Sequence, residues 1–292
     1  MPTNDTIAAI ATPPGKGGIG IVRVSGPLAA STATSILGDL PAERVATFSS
    51  FFDEDGTALD EGIAVFFRAP HSFTGEDVLE LQGHGGPVVL NLILSRVIKF
   101  GERLARPGEC SDRAYLNGKL DLTQAEAIAD LIESSTADAA RGALRSMQGE
   151  FSSRVHQIVG ALIEFRMFVE AAIDFPEEEI DGSVLESVKR ELQGYHTEIN
   201  ELLSRVKEGV RLRDGYSVAI VGPPNAGKSS LLNLLAREDL AITSEAPGTT
   251  RDLLKTSVNV GGFLIEFVDT AGVLSLIHIS EPTRPERIAE AG

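Results

Sequence analysis

Apolar positions along this chain change period twice. Up to about residue 118 they come in short runs broken by glycine, proline and acidic turns. The runs at 6–11, 19–25, 45–52, 58–67 and 78–82 read as strands. An Asp53-Glu54-Asp55-Gly56 turn between the third and fourth predicts a hairpin. Pro27 opens a helical stretch that reaches residue 37. Pro87 opens another, with Val89, Leu92, Ile93, Arg96, Val97 and Phe100 on helical spacing. Strands and helices mixed in this way predict an α+β domain over residues 1–118.

Near residue 120 the period becomes helical. Thr123 and Glu126 fit a capping box, followed by Ile128, Leu131 and Ile132. A second helix carries Leu144, Met147, Phe151, Val155, Ile158, Val159, Leu162, Ile163 and Val169. A third, from about residue 183, carries Val184, Val188, Leu192, Ile199, Leu202, Leu203 and Val206. These stripes are expected to form the core of a helical bundle over residues 119–210. The acidic run DFPEEEID at 174–181 interrupts them at Pro176 and reads as a solvated turn. Residues 211–215 read as a hinge.

Beyond it the pattern changes again, to α/β. A strand at 217–221 runs into a glycine-rich turn and a helix start at Lys228. Residues 256–269 read as a hairpin turning at Gly261-Gly262. The whole is therefore expected to be multidomain α+β and α/β, with a partial P-loop domain over 211–273.

The loop at 222–229 carries the chemistry. Gly222, Gly227, Lys228 and Ser229 fit G-x-x-x-x-G-K-[ST]. Small residues let successive backbone N–H groups ring a phosphate, and the following helix adds its positive end. Lys228 then reaches the β- and γ-phosphates, and the Ser229 hydroxyl is placed for Mg²⁺. About twenty residues on, Pro247 announces Gly248-Thr249-Thr250-Arg251-Asp252, where a threonine hydroxyl can meet the nucleotide's Mg²⁺. The hairpin ends in Asp269-Thr270-Ala271-Gly272. Asp269 would hold Mg²⁺ through water, and the Gly272 N–H would meet the γ-phosphate. In this order the three segments point to a translation-factor-type GTPase. The expected nucleotide set is Asn225, Ala226, Gly227, Lys228, Ser229, Ser230, Ser244, Glu245, Ala246, Pro247, Gly248, Thr249, Thr250, Asp269, Thr270, Ala271 and Gly272. Lys228, Thr250 and Asp269 are its catalytic members. Val273, apolar, stands where Ras-type enzymes place a water-orienting glutamine, so that route is closed. Asn225 either faces a monovalent cation beside the phosphates or caps the turn.

Other features read more plainly. The glycines of 15–20 lack a following Lys-Ser/Thr pair and read as a tight strand connection. His84, between glycines, reads as a turn residue with no zinc-ligand set beside it. On their own residues, Arg23 and Glu80 read as surface strand side chains and Lys119 as a solvated lysine at a helix entry. The formal charge is −16, and the three segments carry −5, −9 and −2. No segment has the basic footprint of a nucleic-acid binder, so a basic partner is expected to do most of the holding of any RNA. No apolar run approaches the ~18 residues of a membrane span, and the N-terminus lacks a signal-peptide layout. The single cysteine, Cys110, cannot form an internal disulfide and reads as a packing residue. A cytoplasmic location is expected.

Six blocks carry a resemblance that runs from residue 5 to about 273. They are ATPPGKGGIGIVRVSG, GEDVLELQGHGG, RPGECSDRAYLNGKLDLTQAEAIADLI, GPPNAGKSSLLN, PGTTRD and DTAG. With them the chain resembles the MnmE (TrmE) family of tRNA-modification GTPases. The resemblance implies a folate-binding N-terminal domain that homodimerises, a helical domain, and a GTPase domain inserted into the helical one. It implies K⁺-stimulated GTP hydrolysis and a flavin-dependent partner, MnmG (GidA). The pair would add an aminomethyl or carboxymethylaminomethyl group to C5 of the tRNA wobble uridine. The carbon would come from 5-formyltetrahydrofolate or a related one-carbon tetrahydrofolate. By the same resemblance folate contacts fall on Arg23, Glu80 and Lys119. Potassium ligands fall on Asn225, Ser244, Ala246 and Thr249, and magnesium ligands on Ser229 and Thr250. Relatives often have threonine where Ser244 stands.

The stretch LSLIHISEPTR at 274–284 departs from the charged segment that the family has there. It resembles the translation of a transposase-type sequencing adapter. Residues 274–292 are set aside from fold reasoning as a non-native tail, and the GTPase domain is expected to be incomplete. Two rival functions remain: a regulatory or assembly GTPase without modification chemistry, and a folate-binding dimerisation module alone.

Overall fold

The computed structural model describes residues 5–174, 182–222, 226–228, 230, 231, 234 and 255–269. The acidic run at 175–181 and the tail at 274–292 lie outside them. The chain divides into two compact units. One holds Met1–Ala129 with Arg145–Val155, the other Asp130–Leu144 with His156–Gly292.

The first unit is built on a six-stranded sheet of order β3-β4-β5-β2-β1-β6. Its strands are β1 (Ile7–Ile10), β2 (Gly17–Ser25), β3 (Thr47–Phe52), β4 (Ala58–Phe67), β5 (Val78–Gly85) and β6 (Arg103–Leu104). Neighbours run antiparallel except β1 and β6. Side-chain alternation decides the two faces. Leu79 and Leu81 of β5 are fully buried beneath α1 (Ala29–Leu37) and α2 (Pro87–Lys99), with Val22, Val24, Ala64 and Phe66 beside them. On α2 the residues Leu90, Ile93 and Val97 recur at helical spacing and close this core. Each such buried aliphatic stabilises the fold by ~1.5–3 kcal/mol. The reverse face receives Arg23, Glu80, Gln82, Ile63 and Phe48.

The sequence pattern misses two elements, β6 and α3 (Glu109–Leu116). The buried residues of α3 are Glu109, Arg113 and Ala114. A helix whose inner face is charged leaves no apolar stripe to read. Other expectations need correction. Gly17, Gly18 and Gly20 lie in β2 rather than in a connection, and Gly17 and Gly20 pair with Gly85 and Gly83. His84 is a strand residue of β5, not a turn residue.

Four helices follow: α4 (Leu122–Glu133), α5 (Ala137–Met147), α6 (Glu150–Asp174) and α7 (Gly182–Asp214). The capping box sits two residues earlier than expected. Gln124 N donates to Asp121 Oδ1 at 2.8 Å, and Asp121 N donates to Gln124 Oε1 at 3.0 Å. The expected single helix across 144–169 breaks between α5 and α6. Gly149 has φ +83°, a left-handed conformation that stops a helix and suits glycine.

In the second unit Phe165 of α6 meets Tyr195 of α7 edge-on, ring centroids 5.6 Å apart, and Ile158 is buried. The remaining stripe is not the buried bundle core expected of it. Ile163 is 54% exposed, Leu192 54% and Leu203 51%. One helix laid on another covers a single seam and leaves the flanks of both stripes outside it. No helix among the described residues is long and apolar enough to cross a membrane.

The expected hinge at 211–215 is narrower in the structure, because α7 continues to Asp214. Gly215 then turns at φ +67°, where a Cβ would lie 2.3 Å from the Leu264 carbonyl oxygen. Only glycine lets the helix exit pass that close to the sheet. The sheet has order β7-β9-β8, from β7 (Tyr216–Ile220), β8 (Lys255–Val260) and β9 (Phe263–Asp269). β8 and β9 form the expected hairpin, and Gly262 N donates to Asn259 Oδ1 at 3.0 Å across its turn. The chain thus combines an α+β part, a helical part and an α/β part with P-loop connectivity.

Candidate functional site

β7 and β9 are parallel, with Ile220 beside Asp269 in register. Their carboxyl ends therefore meet where β7 feeds the glycine-rich loop. That edge is where open α/β sheets bind ligands. Lys228 is half-buried, and its Nζ donates to the Gly222 carbonyl at 2.9 Å, so its side chain folds back across the loop. Leu231 N donates to Gly227 O at 2.9 Å, which starts the helix at Lys228 as expected. Of the predicted nucleotide residues, Ala226, Gly227, Lys228, Ser230 and Asp269 fall within the described structure. Asn225, Ser229, Ser244, Glu245, Ala246, Pro247, Gly248, Thr249, Thr250, Thr270, Ala271 and Gly272 lie outside it.

The first unit holds a second candidate site, on the reverse face of its sheet. Arg23 of β2 and Glu80 of β5 are register partners. Arg23 Nε and Nη2 donate to Glu80 Oε1 at 2.9 and 2.7 Å. Gln82 Nε2 donates to the other Glu80 oxygen at 3.3 Å. The Arg23 guanidinium lies 5.7 Å from the centroid of the Phe73 ring. At 27% and 15% exposure, the Arg23 and Glu80 side chains remain open to a solute. Lys119 Nζ donates to Pro70 O at 3.0 Å. Phe73 and Pro70 belong to one segment, residues 69–77, so Arg23 and Lys119 both reach it, and Glu80 joins them through Arg23. The sequence reading treats Arg23 and Glu80 as separate charges, whereas the structure makes them one ion pair. Cys110 lies beside Arg23 and is half-buried. Burial pushes its thiol pKa up, against the pull of Arg23.

That segment is held from below by a charged cluster the sequence reading does not anticipate. Arg113 of α3 donates to Asp5 O at 2.8 Å, to Asp5 Oδ1 at 2.8 Å, and to both Glu76 oxygens at 3.1 and 3.0 Å. Ser25 Oγ bonds Thr74 Oγ1 at 2.7 Å and Glu76 Oε2 at 2.8 Å, and Asn117 Nδ2 donates to Thr74 O at 2.7 Å. Beside it Glu109 accepts from Arg103 Nη2 at 2.6 Å and Nη1 at 3.0 Å, and from Arg106 N at 2.7 Å. The Arg103 hydrogen bonds hold the Glu109 carboxyl down at about 2. Asp5 is held below its ordinary value too, its burial outweighed by Arg103 and Arg113.

Further along β5, His84 Nδ1 meets Asp60 Oδ1 at 2.7 Å, and its backbone N donates to Asp60 Oδ2 at 2.7 Å. The Asp60 hydrogen bond and charge push the imidazole pKa up. One signal points to this row in advance: Glu80, Gln82 and His84 alternate along a strand and so share a face.

A strand, a glycine-rich loop with its lysine folded across it, and a parallel strand ending in an aspartate define a P-loop nucleotide-binding protein. Residues 6–119 match the family description "GTP-binding protein TrmE N-terminus", and residues 122–280 match "MnmE helical domain". Among similar proteins, the tRNA modification GTPase MnmE of Chromohalobacter salexigens is 58% identical over 269 residues, 92% of this chain and 59% of the relative. That of Stutzerimonas stutzeri is 57% identical over 273 residues, 94% and 60%. That of Coxiella burnetii is 55% identical over 269 residues, 92% and 59%. The chain belongs to the MnmE (TrmE) family. It spans about three-fifths of the length of these relatives.

Proposed function

We propose that this chain binds and hydrolyses GTP, and binds a one-carbon tetrahydrofolate, in the C5 modification of the tRNA wobble uridine. The observation that carries the reading is the parallel register of Ile220 with Asp269, which sets the P-loop and the strand end of Asp-Thr-Ala-Gly at one edge. Lys228 leaves the Gly222 carbonyl for the β- and γ-phosphates, and Gly227 and Ser230 flank them. Asp269 lies across the same edge. Mg²⁺ on Ser229 and Thr250 would neutralise phosphate charge, and K⁺ on Asn225, Ser244, Ala246 and Thr249 would add positive charge in the transition state.

In the first unit the folate's glutamate tail meets Lys119, and the pterin meets the Glu80 carboxylate held in place by Arg23. The segment at 69–77 would form the wall. The proposed limits are 1–118 for the folate-binding, homodimerising domain, 119–210 for the helical domain and 211–273 for the GTPase part. The proposed partners are tRNA and a flavin-dependent MnmG-type protein in the cytoplasm. With a net charge of −16, the chain leaves most of the RNA contact to that partner.

Two measurements test the reading. GTP turnover should be faster in potassium than in sodium buffer and should be lost in Lys228→Ala. Affinity for 5-formyltetrahydrofolate should fall in Arg23→Ala and in Lys119→Ala. Folate affinity unchanged in both variants would reduce the chain to a GTPase switch. Unchanged turnover in Lys228→Ala would remove the GTPase reading itself.

A further inference from the structure

Within the second unit, the C-terminal end of α7 and the first residues of β7 and β9 enclose a recess of about 250 Å³. Ser204, Lys207, Glu208 and Arg211 line one wall, and Tyr216 and Phe263 the other. The four helix residues fall at the spacing of a single face. A helix packed to a sheet normally turns an apolar stripe inward. Beside the recess this one carries two cations, a carboxylate and a hydroxyl, all four exposed. The two rings stand 5.8 Å apart, tilted by 58°, and Tyr216 is 43% exposed.

The cations are notable for their lack of partners. The chain has 42 acidic and 26 basic residues, and among the described residues most arginines have a carboxylate within 4.0 Å. Arg213, two residues on, pairs with Asp214 at 2.7 Å and approaches Asp130 at 3.8 Å. Neither Lys207 nor Arg211 makes a side-chain ion pair or hydrogen bond among the described residues. Two cations without partners among the described residues, lining the same recess as two rings, suit an anion attached to a flat ring. The volume falls below the ~300–1,000 Å³ of a pocket for a drug-sized ligand, so one ring and one phosphate fill it.

We infer that this recess receives a single unstacked nucleotide of an RNA chain. The phosphate lies on Lys207 and Arg211, and the base on Tyr216 and Phe263. Unstacked RNA bases are commonly held on aromatic and guanidinium faces in this way. Glu208 would repel a second phosphate and can accept from a base N–H, which orients the nucleotide. The inference rests on the tRNA reading above and adds a contact made by this chain itself, in a protein whose overall charge opposes RNA.

The test uses the full chain and a 4-thiouridine-containing RNA heptamer. Crosslinks mapped by peptide mass should fall on the segments holding Tyr216 or Phe263. By fluorescence anisotropy, Tyr216→Ala should weaken binding roughly 5- to 100-fold while Tyr216→Phe retains it. The double variant Lys207→Ala/Arg211→Ala should reduce the slope of log affinity against log salt by about 0.7, for one phosphate no longer neutralised. Crosslinks elsewhere, or wild-type binding by the double variant, would overturn the assignment. So would binding of uridine 5′-monophosphate in the recess without binding of the heptamer, which would make it a site for free nucleotides. Labelled GTP measured on the same preparations separates the two readings. Intact GTP affinity with no RNA contact rejects the recess alone, and the reverse pattern rejects the GTPase reading alone.

Discussion

Arg113 is the residue on which the segment at 69–77 depends. Replacing it with methionine keeps most of the volume and removes the charge. Its side chain is 2% exposed and donates four hydrogen bonds to Asp5 and Glu76, with Glu109 3.6 Å away. Removing one partner of a buried ion cluster costs ~3–5 kcal/mol, because the opposite charges stay behind unpaired. Asp5 and Glu109 keep Arg103, and Glu76 keeps Ser25, so the lower end of that range applies. For a unit of this size, about 3 kcal/mol lowers Tm by roughly 10 °C. Scanning calorimetry of Arg113→Met against the parent chain measures it at pH 7. Arg113 and Arg103 together hold the Asp5 carboxyl below its ordinary 3.8 in the parent, and this group loses its charge as the solution is acidified. The difference between variant and parent should therefore narrow below about pH 4. Affinity for 5-formyltetrahydrofolate should fall as well, because Thr74 and Glu76 anchor the loop that carries Phe73 to Arg23. A Tm within about 2 °C of the parent at pH 7 would refute the claim that Arg113 anchors this segment.

Three further outcomes are expected. The Glu109 carboxyl sits at about 2 in the fold against an ordinary 4.5. Its contribution, up to ~3 kcal/mol, is present above pH 4.5 and lost as the pH falls toward 2, so Glu109→Gln should flatten denaturation midpoints measured across that window. Gly149→Ala should destabilise by ~1–2 kcal/mol, since alanine pays for the left-handed conformation, and a neutral or stabilised thermal midpoint would contradict the helix break. Asp121→Ala should cost ~0.5–2 kcal/mol by loss of the N-cap of α4. Thr123→Ala should stay within ~0.5 kcal/mol, and the opposite order in urea titrations would restore the capping box at Thr123 and Glu126.

Local chemistry explains what was legible in advance. The hairpin of β8 and β9, the start of α2 at Pro87 and the helix start at Lys228 each depend on neighbours a few residues apart. The GPPNAGKS, PGTTRD and DTAG segments are equally local, and with the N-terminal blocks they identify the family. Helix α3 escaped because its buried face is Glu109 and Arg113, which hydrophobic periodicity cannot register. The stripes of α6 and α7 were read correctly as helical. How much of each is buried depends on what lies against it, which spacing along one helix does not state.

What this chain's residues determined unaided is the kind of most of its elements and the identity of its phosphate loop, because turns and short motifs are settled by nearest neighbours. What only the tertiary structure decided is which charges meet. Arg23 finds Glu80 across 57 positions, and Arg113 finds Asp5 across 108. Lys207 and Arg211 line one recess with Tyr216 and Phe263. Coulomb energy falls off with distance in space, and distance in space is set by strand register and packing, neither of which is written at any single position.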